Sequence, residues 1–178
     1  MRVVTGTAGG LRLVAPQGRE TRPTSDRVRE ATFNALGSLD AIEGARVLDL
    51  FAGSGALGIE ALSRGAAHAT FVERDRAALD AIKANLATTG LADAASVVAA
   101  DATSFVSSGP PSFDLALLDP PYGYDGWDAL LAALPADLAV VESDRPVDPG
   151  EGWTVVRSRR YGTTVVGIFR RATSAEVP

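Results

Sequence analysis

Four carboxylates stand where they could bind one ligand: Asp49, Glu73, Asp101 and Asp119. Each ends or follows a short apolar run of the kind that forms a buried β-strand. In an open parallel sheet a ligand lies beyond the carboxyl ends of the strands, so the four side chains are expected at one edge. A carboxylate is costly to bury unless it accepts hydrogen bonds from neighbouring groups or from a ligand. The pattern therefore indicates a binding cleft rather than four unrelated surface charges.

The turn after the first apolar run is rich in glycine. Gly53, Gly55 and Gly58 satisfy the pattern Gly-x-Gly-x-x-Gly between an expected strand and an expected helix. Glycines let the backbone approach a ligand closely, and the start of a helix offers free N–H groups. Taken alone the pattern is weak, because a turn required only for packing reads the same way.

The second and third carboxylates suit a nucleoside. Glu73 lies 20 residues after Gly53, the spacing at which an acid reaches the two hydroxyls of a ribose. NAD and S-adenosylmethionine satisfy that spacing equally. Asp101 could accept a hydrogen bond from the exocyclic amine of adenine, and the backbone N–H of Ala102 could donate to a ring nitrogen.

The most specific motif is Asp119-Pro120-Pro121-Tyr122. Two prolines stiffen the turn and remove two backbone donors. The Asp119 side chain and the Pro120 carbonyl are left as acceptors, and Tyr122 offers a flat aromatic face. This arrangement suits an amino group on an aromatic ring, with both protons accepted while the ring stacks.

An alternation of strands and helices has to position these residues. It predicts a Rossmann-like α/β fold: a mostly parallel seven-stranded sheet with helices on both faces and a closing antiparallel hairpin. Before the sheet we expect a β-hairpin over residues 2–14 and a helix from Thr24 or Ser25 to about Leu36. We divide the chain into an N-terminal extension, 1–37, and a main domain, 38–178. The expected strands are 46–51, 68–73, 95–100, 113–118, 138–142, 153–159 and 163–170, and the expected helices are 56–64, 76–88, about 102–107 and 126–134.

Composition narrows the possible functions. The 178 residues include no cysteine, and His68 is the only histidine, which argues against thiolate chemistry, Cys-based or His-cluster metal sites and His-dependent triads. No run of about 18 apolar residues suggests a membrane span, and no signal peptide is apparent, so we expect a cytoplasmic protein.

Charge is unevenly distributed along the chain. The formal net charge is −5, yet residues 1–29 contain six arginines against two acids. A basic arm on an acidic body fits local contact with a phosphate backbone. Ordinary surface arginine explains the same composition, and both readings stay open at this point.

The combined motifs resemble class I S-adenosylmethionine-dependent amino-methyltransferases. They are the Gly-rich turn after Asp49, the acids Glu73 and Asp101, and Asp119-Pro-Pro-Tyr122. The segment Arg22-Pro-Thr-Ser-Asp-Arg-Val-Arg-Glu-Ala-Thr-Phe-Asn34 is very similar to the bacterial 16S rRNA guanine-N2 methyltransferases named for guanine 966. Chain length and the opening hairpin also resemble that family, so the match covers nearly the whole chain. Relatives often carry Phe where this chain has Tyr122, and either ring can stack.

The resemblance implies S-adenosylmethionine as cofactor, no metal, and methylation of the N2 amine of a guanine. The implied partner is 16S rRNA in the small ribosomal subunit, together with ribosomal proteins. Gly53 and Gly55 would lie under the methionine moiety, Glu73 would hold the ribose and Asp101 the adenine. The expected catalytic residues are Asp119, Pro120 and Tyr122. The expected cofactor-binding residues are Asp49, Phe51, Gly53, Ser54, Gly55, Glu73, Arg74, Asp101 and Ala102, and the expected RNA-binding residues are Arg2, Arg12, Arg22 and Arg27.

Three alternatives remain at this point. A DNA adenine-N6 or cytosine-N4 methyltransferase would use Asp-Pro-Pro-Tyr equally well, although the chain is short and lacks an obvious target-recognition domain. An NAD-dependent oxidoreductase fits the glycine pattern and Glu73, but the sequence offers no catalytic Tyr-x-x-x-Lys motif or histidine. A non-catalytic RNA-binding module is disfavoured by the intact Asp-Pro-Pro-Tyr motif.

Overall fold

A computed structural model describes residues 1–16 and 26–172 of the chain. The described helices are α1 (Asp26–Ser38), α2 (Ala56–Ser63), α3 (Arg76–Thr89), α4 (Ala102–Ser107) and α5 (Trp127–Ala133). The strands are β1 (Arg46–Leu50), β2 (His68–Glu73), β3 (Ala95–Ala99), β4 (Phe113–Leu118), β5 (Ala136–Ser143), β6 (Trp153–Tyr161) and β7 (Thr164–Arg171).

The strands form one seven-stranded sheet in the order β3-β2-β1-β4-β5-β7-β6. The first five strands run parallel, and β7 pairs antiparallel with both β5 and β6. Strand order reverses between β1 and β4, so a crevice opens beyond their carboxyl ends. The predicted fold class, including the closing hairpin, is confirmed.

Helices cover both faces of the sheet because its central strands are apolar on both sides. On one face Phe33 of α1, Ile59 of α2 and Ile82 of α3 pack in one cluster with Val47 and Leu115. On the other face Val106, Trp127 and Leu130 of α4 and α5 pack with Leu48 and Ala116. The alternation of these neighbours along β1 and β4 fixes which strand residues face each layer.

The N-terminal segment joins the first of these cores. Val3, Ala8 and Leu13 are buried in the same cluster as Phe33 and Ile59. The expected hairpin over 2–14 is reduced to one antiparallel bridge, Arg2 with Arg12. Its two arms are also joined by the Val3 N–H to Leu11 O bond at 2.9 Å, and its middle is a series of turns closed by bonds such as Gly9 N–H to Gly6 O at 3.1 Å, because the glycines of this stretch favour turns over strand ladders.

Most predicted boundaries lie within two residues of those observed. The α1 helix begins at Asp26 in the described part, and the expected caps Thr24 and Ser25 lie outside it. A short 3-10 helix, Ala92–Ala94, precedes β3 and was not expected. Strand β5 is longer than the predicted 138–142, because its ends pair with Phe113 of β4 and Val165 of β7. The division at residue 37 stays a prediction.

Candidate active site

The Gly-rich turn joins β1 to α2 with several left-handed residues. Phe51, Gly53 and Gly55 have φ of 59°, 57° and 78°, and Gly55 occupies the position before the first helical residue. A left-handed phenylalanine is uncommon, so the surrounding contacts must hold the turn at this point. The predicted strand–turn–helix unit is therefore present, with its loop bent sharply over the sheet edge.

The third glycine of the pattern is explained by packing. A Cβ on Gly58 would lie 2.3 Å from the Phe71 ring and 3.0 Å from Asp49 Oδ2. The Gly58 N–H donates to that carboxylate oxygen at 2.9 Å. Gly58 thus lets α2 lie close against the sheet and supplies a hydrogen bond to Asp49, without lining the cleft.

Asp49 is almost completely buried, with 1% of its surface exposed. Burial raises its pKa to about 8; the Gly58 N–H lowers the pKa, and the charge of Glu73 raises it further. A cation in the cleft would oppose that shift by favouring the ionised carboxylate. A positively charged ligand in the cleft would therefore lower the pKa of Asp49.

Glu73 ties the Gly-rich turn to the end of β2. Its Oε2 accepts the Gly53 N–H at 2.9 Å. Its Oε1 accepts the N–H groups of Arg74 at 2.8 Å and Asp75 at 2.9 Å. These bonds fix the carboxylate at the cleft. Oε1 already accepts two N–H groups, whereas Oε2 accepts one and keeps a further lone pair for a ligand hydroxyl.

The third strand contributes Asp101 and the start of α4. Asp101 Oδ1 accepts the Ser104 N–H at 3.1 Å and so caps the helix. Arg74 Nη1 lies 3.6 Å from Asp101 Oδ2. Ala102 is the first helical residue, where backbone N–H groups have no acceptor within the helix.

Beyond β4 the Asp-Pro-Pro-Tyr loop forms the other wall of the cleft. Asp119 is half-buried and Pro120 buried, whereas the Tyr122 ring is 39% exposed. The Tyr122 hydroxyl lies 3.1 Å from Thr164 Oγ1 at the start of β7. An exposed ring beside a half-buried carboxylate suits the capture of a flat polar group.

These elements enclose one cavity of about 600 Å³. It brings together all of the predicted cofactor-binding and catalytic residues except Gly55. Gly55 lies behind the lining, where a Cβ would sit 3.3 Å from both Ile82 and Phe71. The cavity is also lined by residues that sequence reasoning missed: Met1, Arg29, Tyr124 and Glu142.

Tyr124 belongs to an aromatic cluster that supports this wall. Its ring meets Phe51 edge-on at 5.3 Å and Trp127 edge-on at 5.1 Å. The cluster connects the Gly-rich turn to α5, and such pairs add about 0.5–1.5 kcal/mol each beyond burial. Its position two residues after Tyr122 was the available signal in the sequence.

Glu60 of α2 is the largest omission from the sequence-based interpretation. It is fully buried, and it accepts the Val4 N–H at 2.7 Å and the Thr5 N–H at 3.1 Å. Its carboxylate also pairs with Arg64 Nε at 2.7 Å and Arg29 Nε at 3.8 Å. One carboxylate thereby joins the N-terminal segment, α1 and α2 beside the cavity.

The predicted RNA-binding arginines lie on the surface where they are described. Arg2, Arg12 and Arg27 are exposed, and Arg2 and Arg12 face each other across the bridge. Arg2 Nε lies 4.0 Å from Asp26 Oδ2, a weak exposed pair. Arg22 lies outside the described residues.

Within residues 1–16 and 26–172 no group of three or more His, Cys, Asp and Glu side chains is arranged to hold a metal ion. In the same ranges no helix is long and apolar enough to cross a bilayer.

A doubly wound sheet of this order, with a cofactor-sized cavity beyond the strand ends, is the class I methyltransferase fold. The chain belongs to the family described as conserved hypothetical protein 95, whose model matches residues 1–170. The predicted family membership is thereby confirmed.

Relatives match over almost their whole length. Ribosomal RNA small subunit methyltransferase D of Escherichia coli is 36% identical over 99% of this chain and 92% of its own. The Bacillus subtilis protein YlbH, provisionally named an rRNA methyltransferase, is 40% identical over 96% of this chain and 99% of its own. The solved structure of Escherichia coli yhhF superposes with a TM-score of 0.85 at 36% identity, covering 98% of this chain and 99% of that one.

Proposed function

We propose that the chain methylates the exocyclic N2 amine of a guanine, position 966, in 16S rRNA of the small ribosomal subunit, with S-adenosylmethionine as methyl donor. The observation that carries the proposal is a single cavity with two differently equipped sides. Glu73 and Asp101 follow β2 and β3, on one side of β1 in the sheet, and Asp119, Pro120 and Tyr122 follow β4 on the other side; all five line the cavity. The names of the relatives agree with an rRNA methyltransferase.

The residues present fit S-adenosylmethionine. A cavity of about 600 Å³ is within the usual range for cofactor sites. Glu73 and Asp101 provide acceptors for ribose hydroxyls and an adenine amine, and the acidic lining suits a sulfonium cation. When bound, the cofactor supplies an electrophilic methyl group.

The task of the protein is then to orient the amine. The lone pair of an aromatic amine is delocalised into its ring, so the amine is a poor nucleophile. We assign Asp119 Oδ and the Pro120 carbonyl as acceptors for its two protons, which turns the lone pair out of conjugation. Holding the amine in line with the methyl group can contribute several kcal/mol to lowering the barrier.

Tyr122 would stack on the target base. Extruding a base costs a few kcal/mol, and least where the RNA is already single-stranded. Stacking on one aromatic ring returns about 1–3 kcal/mol per base. The contact between the Tyr122 hydroxyl and Thr164 restricts rotation of the ring, which lines the cavity.

The N-terminal arginines would contact phosphates. Arg2, Arg12 and Arg27 are exposed, and with Arg22 they form the basic arm of an otherwise acidic chain. We assign residues 1–37 to this extension and 38–178 to methyl transfer, in the cytoplasm. The net negative charge of the chain suits a substrate in which ribosomal proteins, as well as RNA, contact the enzyme.

The test is transfer of tritium from labelled S-adenosylmethionine. The substrates are small subunits from a strain lacking the enzyme, the same 16S RNA without protein, and duplex DNA, followed by nucleoside analysis. Label in N2-methylguanosine, mainly on the particle, is expected. Label on duplex DNA alone, or no label on any substrate, would reject the proposal.

Asp119→Ala tests the assigned acceptor. Because it removes one of two acceptors from the amine but leaves Glu73 and Asp101 in place, turnover should fall at least about 100-fold. Cofactor affinity measured by calorimetry should change less than about threefold. Retention of most of the activity would show that Asp119 does not orient the amine.

A further inference from the structure

Arg29 is a buried cation on the cavity wall with unused donors. Its side chain is 1% exposed, and the residue lines the cavity. Nη2 donates to Asp26 Oδ1 at 2.9 Å and to the Arg2 carbonyl. Among the described residues, neither Nε nor Nη1 has a hydrogen-bond acceptor. Buried guanidinium N–H groups are rarely left in this state without a ligand or water.

The cavity around Arg29 is otherwise strongly acidic. In the described part of the chain its cationic side chains are Arg29 and Arg74, and its acids are Asp49, Glu73, Asp101, Asp119 and Glu142. Arg74 lies beside Asp101, at the β2–β3 side. Arg29 lies on the α2 side, next to Glu60. A ligand anion on the α2 side would therefore meet Arg29 as its cationic partner.

We infer that Arg29 binds the carboxylate of the methionine moiety of S-adenosylmethionine, an inference that rests on the proposed function. With adenine and ribose at Asp101 and Glu73, the amino-acid end extends over the Gly-rich turn towards α2. Its ammonium suits the acidic lining, but its carboxylate would be repelled there. Nη1 of Arg29 supplies charge-assisted donors where that carboxylate arrives.

The experiment compares two ligands that differ only in this carboxylate. Calorimetry measures the dissociation constants of S-adenosylhomocysteine and its decarboxylated analogue for the wild type, Arg29→Gln, Arg29→Lys and Arg64→Gln. Arg64 pairs with the same Glu60 but does not line the cavity, so it is the matched control. Comparing the ligands on the wild type needs no variant, and Arg29→Lys, which keeps the charge, still tests the assignment to Arg29 if Arg29→Gln fails to fold.

The wild type should bind the intact nucleoside about 10- to 100-fold more tightly than the decarboxylated one. That ratio should fall below about threefold in Arg29→Gln, partly recover in Arg29→Lys, and persist in Arg64→Gln. Equal affinities on the wild type, or a ratio unchanged by Arg29→Gln, would overturn the inference while leaving the proposed function intact. Failure of S-adenosylhomocysteine itself to bind the wild type would reject the proposed function and the inference together.

A second, independent observation concerns the edge strand β6. Residues 154–160 are all exposed, and Arg157, Arg159 and Arg160 lie among them. Within residues 1–16 and 26–172 none of the three arginines is in an ion pair with a carboxylate. The strand leads through a tight turn to Thr164, which contacts Tyr122. Because successive side chains of a strand alternate, Arg157 and Arg159 lie on the face that carries Val166 and Ile168, and Arg160 lies on the other. The strand therefore carries exposed cations on both faces towards the loop that would receive the target base.

We propose that β6 binds the phosphate backbone of the RNA that carries the target base, which also rests on the proposed function. Arg157 is about 13 Å along the strand from Tyr161 at 3.3 Å per residue, a span of about two phosphates. Arginine on an edge strand also prevents pairing with other strands. Charge reversal separates the two roles, because glutamate still protects the edge but repels phosphate.

The experiment measures binding to undermethylated small subunits at several salt concentrations. Arg157→Glu/Arg159→Glu, which changes two arginines on one face of β6, is compared with Arg46→Glu/Lys83→Glu, which changes net charge equally. Arg46 begins β1 and so lies at the end of the strands opposite the cavity, and Lys83 is exposed on α3. The β6 variant should bind roughly tenfold or more weakly, with a log–log salt slope shallower by about 1.5, while cofactor affinity is unchanged. Equal weakening by both variants would overturn this proposal, whereas wild-type protein that binds no subunits would reject the proposed function.

Discussion

Glu60 offers the sharpest test of how the N-terminal segment is held. In Glu60→Ala the N–H groups of Val4 and Thr5 lose their acceptor. Arg64 loses its carboxylate partner, and Arg29 loses one of two, keeping Asp26. Removing one member of a buried ion pair costs about 3–5 kcal/mol, because the remaining charge is left uncompensated. For a domain of this size, each kcal/mol corresponds to about 2–4 °C, so the melting temperature should fall by about 10 °C.

Urea denaturation gives the free energy of unfolding, and amide hydrogen exchange shows where protection is lost. Exchange at Val4 and Thr5 should rise first, because their acceptor is gone. Glu30→Ala is the matched control, since Glu30 is an exposed α1 carboxylate and should cost no more than about 0.5 kcal/mol. A loss below about 1 kcal/mol for Glu60→Ala, or unchanged exchange at both amides, would refute the reasoning.

Three further predictions concern the cleft. Burial raises the pKa of Asp49 from 3.8 to about 8. The contribution of this carboxyl group to stability is therefore complete below pH 3.8 and is lost as pH rises through 8. Relative to Asp49→Asn, the free energy of unfolding of the wild type from urea melts should decline between pH 4 and pH 9. Gly58→Ala should cost about 1–3 kcal/mol by denaturation, because the new Cβ lies 2.3 Å from the Phe71 ring. Tyr122→Phe keeps the stacking ring and removes the hydroxyl that contacts Thr164, so methylation rates should stay within about threefold; a loss of 100-fold would assign the hydroxyl a direct role.

Local sequence patterns accounted for the sheet and for most of the cleft. Asp49, Glu73, Asp101 and Asp119 each follow an apolar run, and parallel pairing brings such positions together irrespective of loop detail. The prediction of these positions needs only the hydrophobic periodicity and the order of strands and helices, and both can be read from neighbouring residues. It is why the cavity contains the residues expected of it.

The parts that sequence patterns missed depend on distant partners. Glu60 reads as a surface charge that pairs with Arg64 four residues later, and nothing nearby signals that Val4 and Thr5 cover it. Arg29 likewise reads as one arginine of a basic arm, whereas it is buried against Glu60. Gly55 packs near Ile82 and Phe71 and does not line the cavity, and its expected place under the ligand stays a prediction.

The anchoring of residues 1–14 has a consequence for the order in which the chain folds. Val4 and Thr5 bond to a carboxylate 56 and 55 residues further along, and Val14 bonds to Asn85, 71 residues away. During synthesis this first segment must wait until α2 and α3 have emerged and packed on the sheet. We therefore expect residues 1–14 to dock after the sheet and its α2 and α3 helices have packed together.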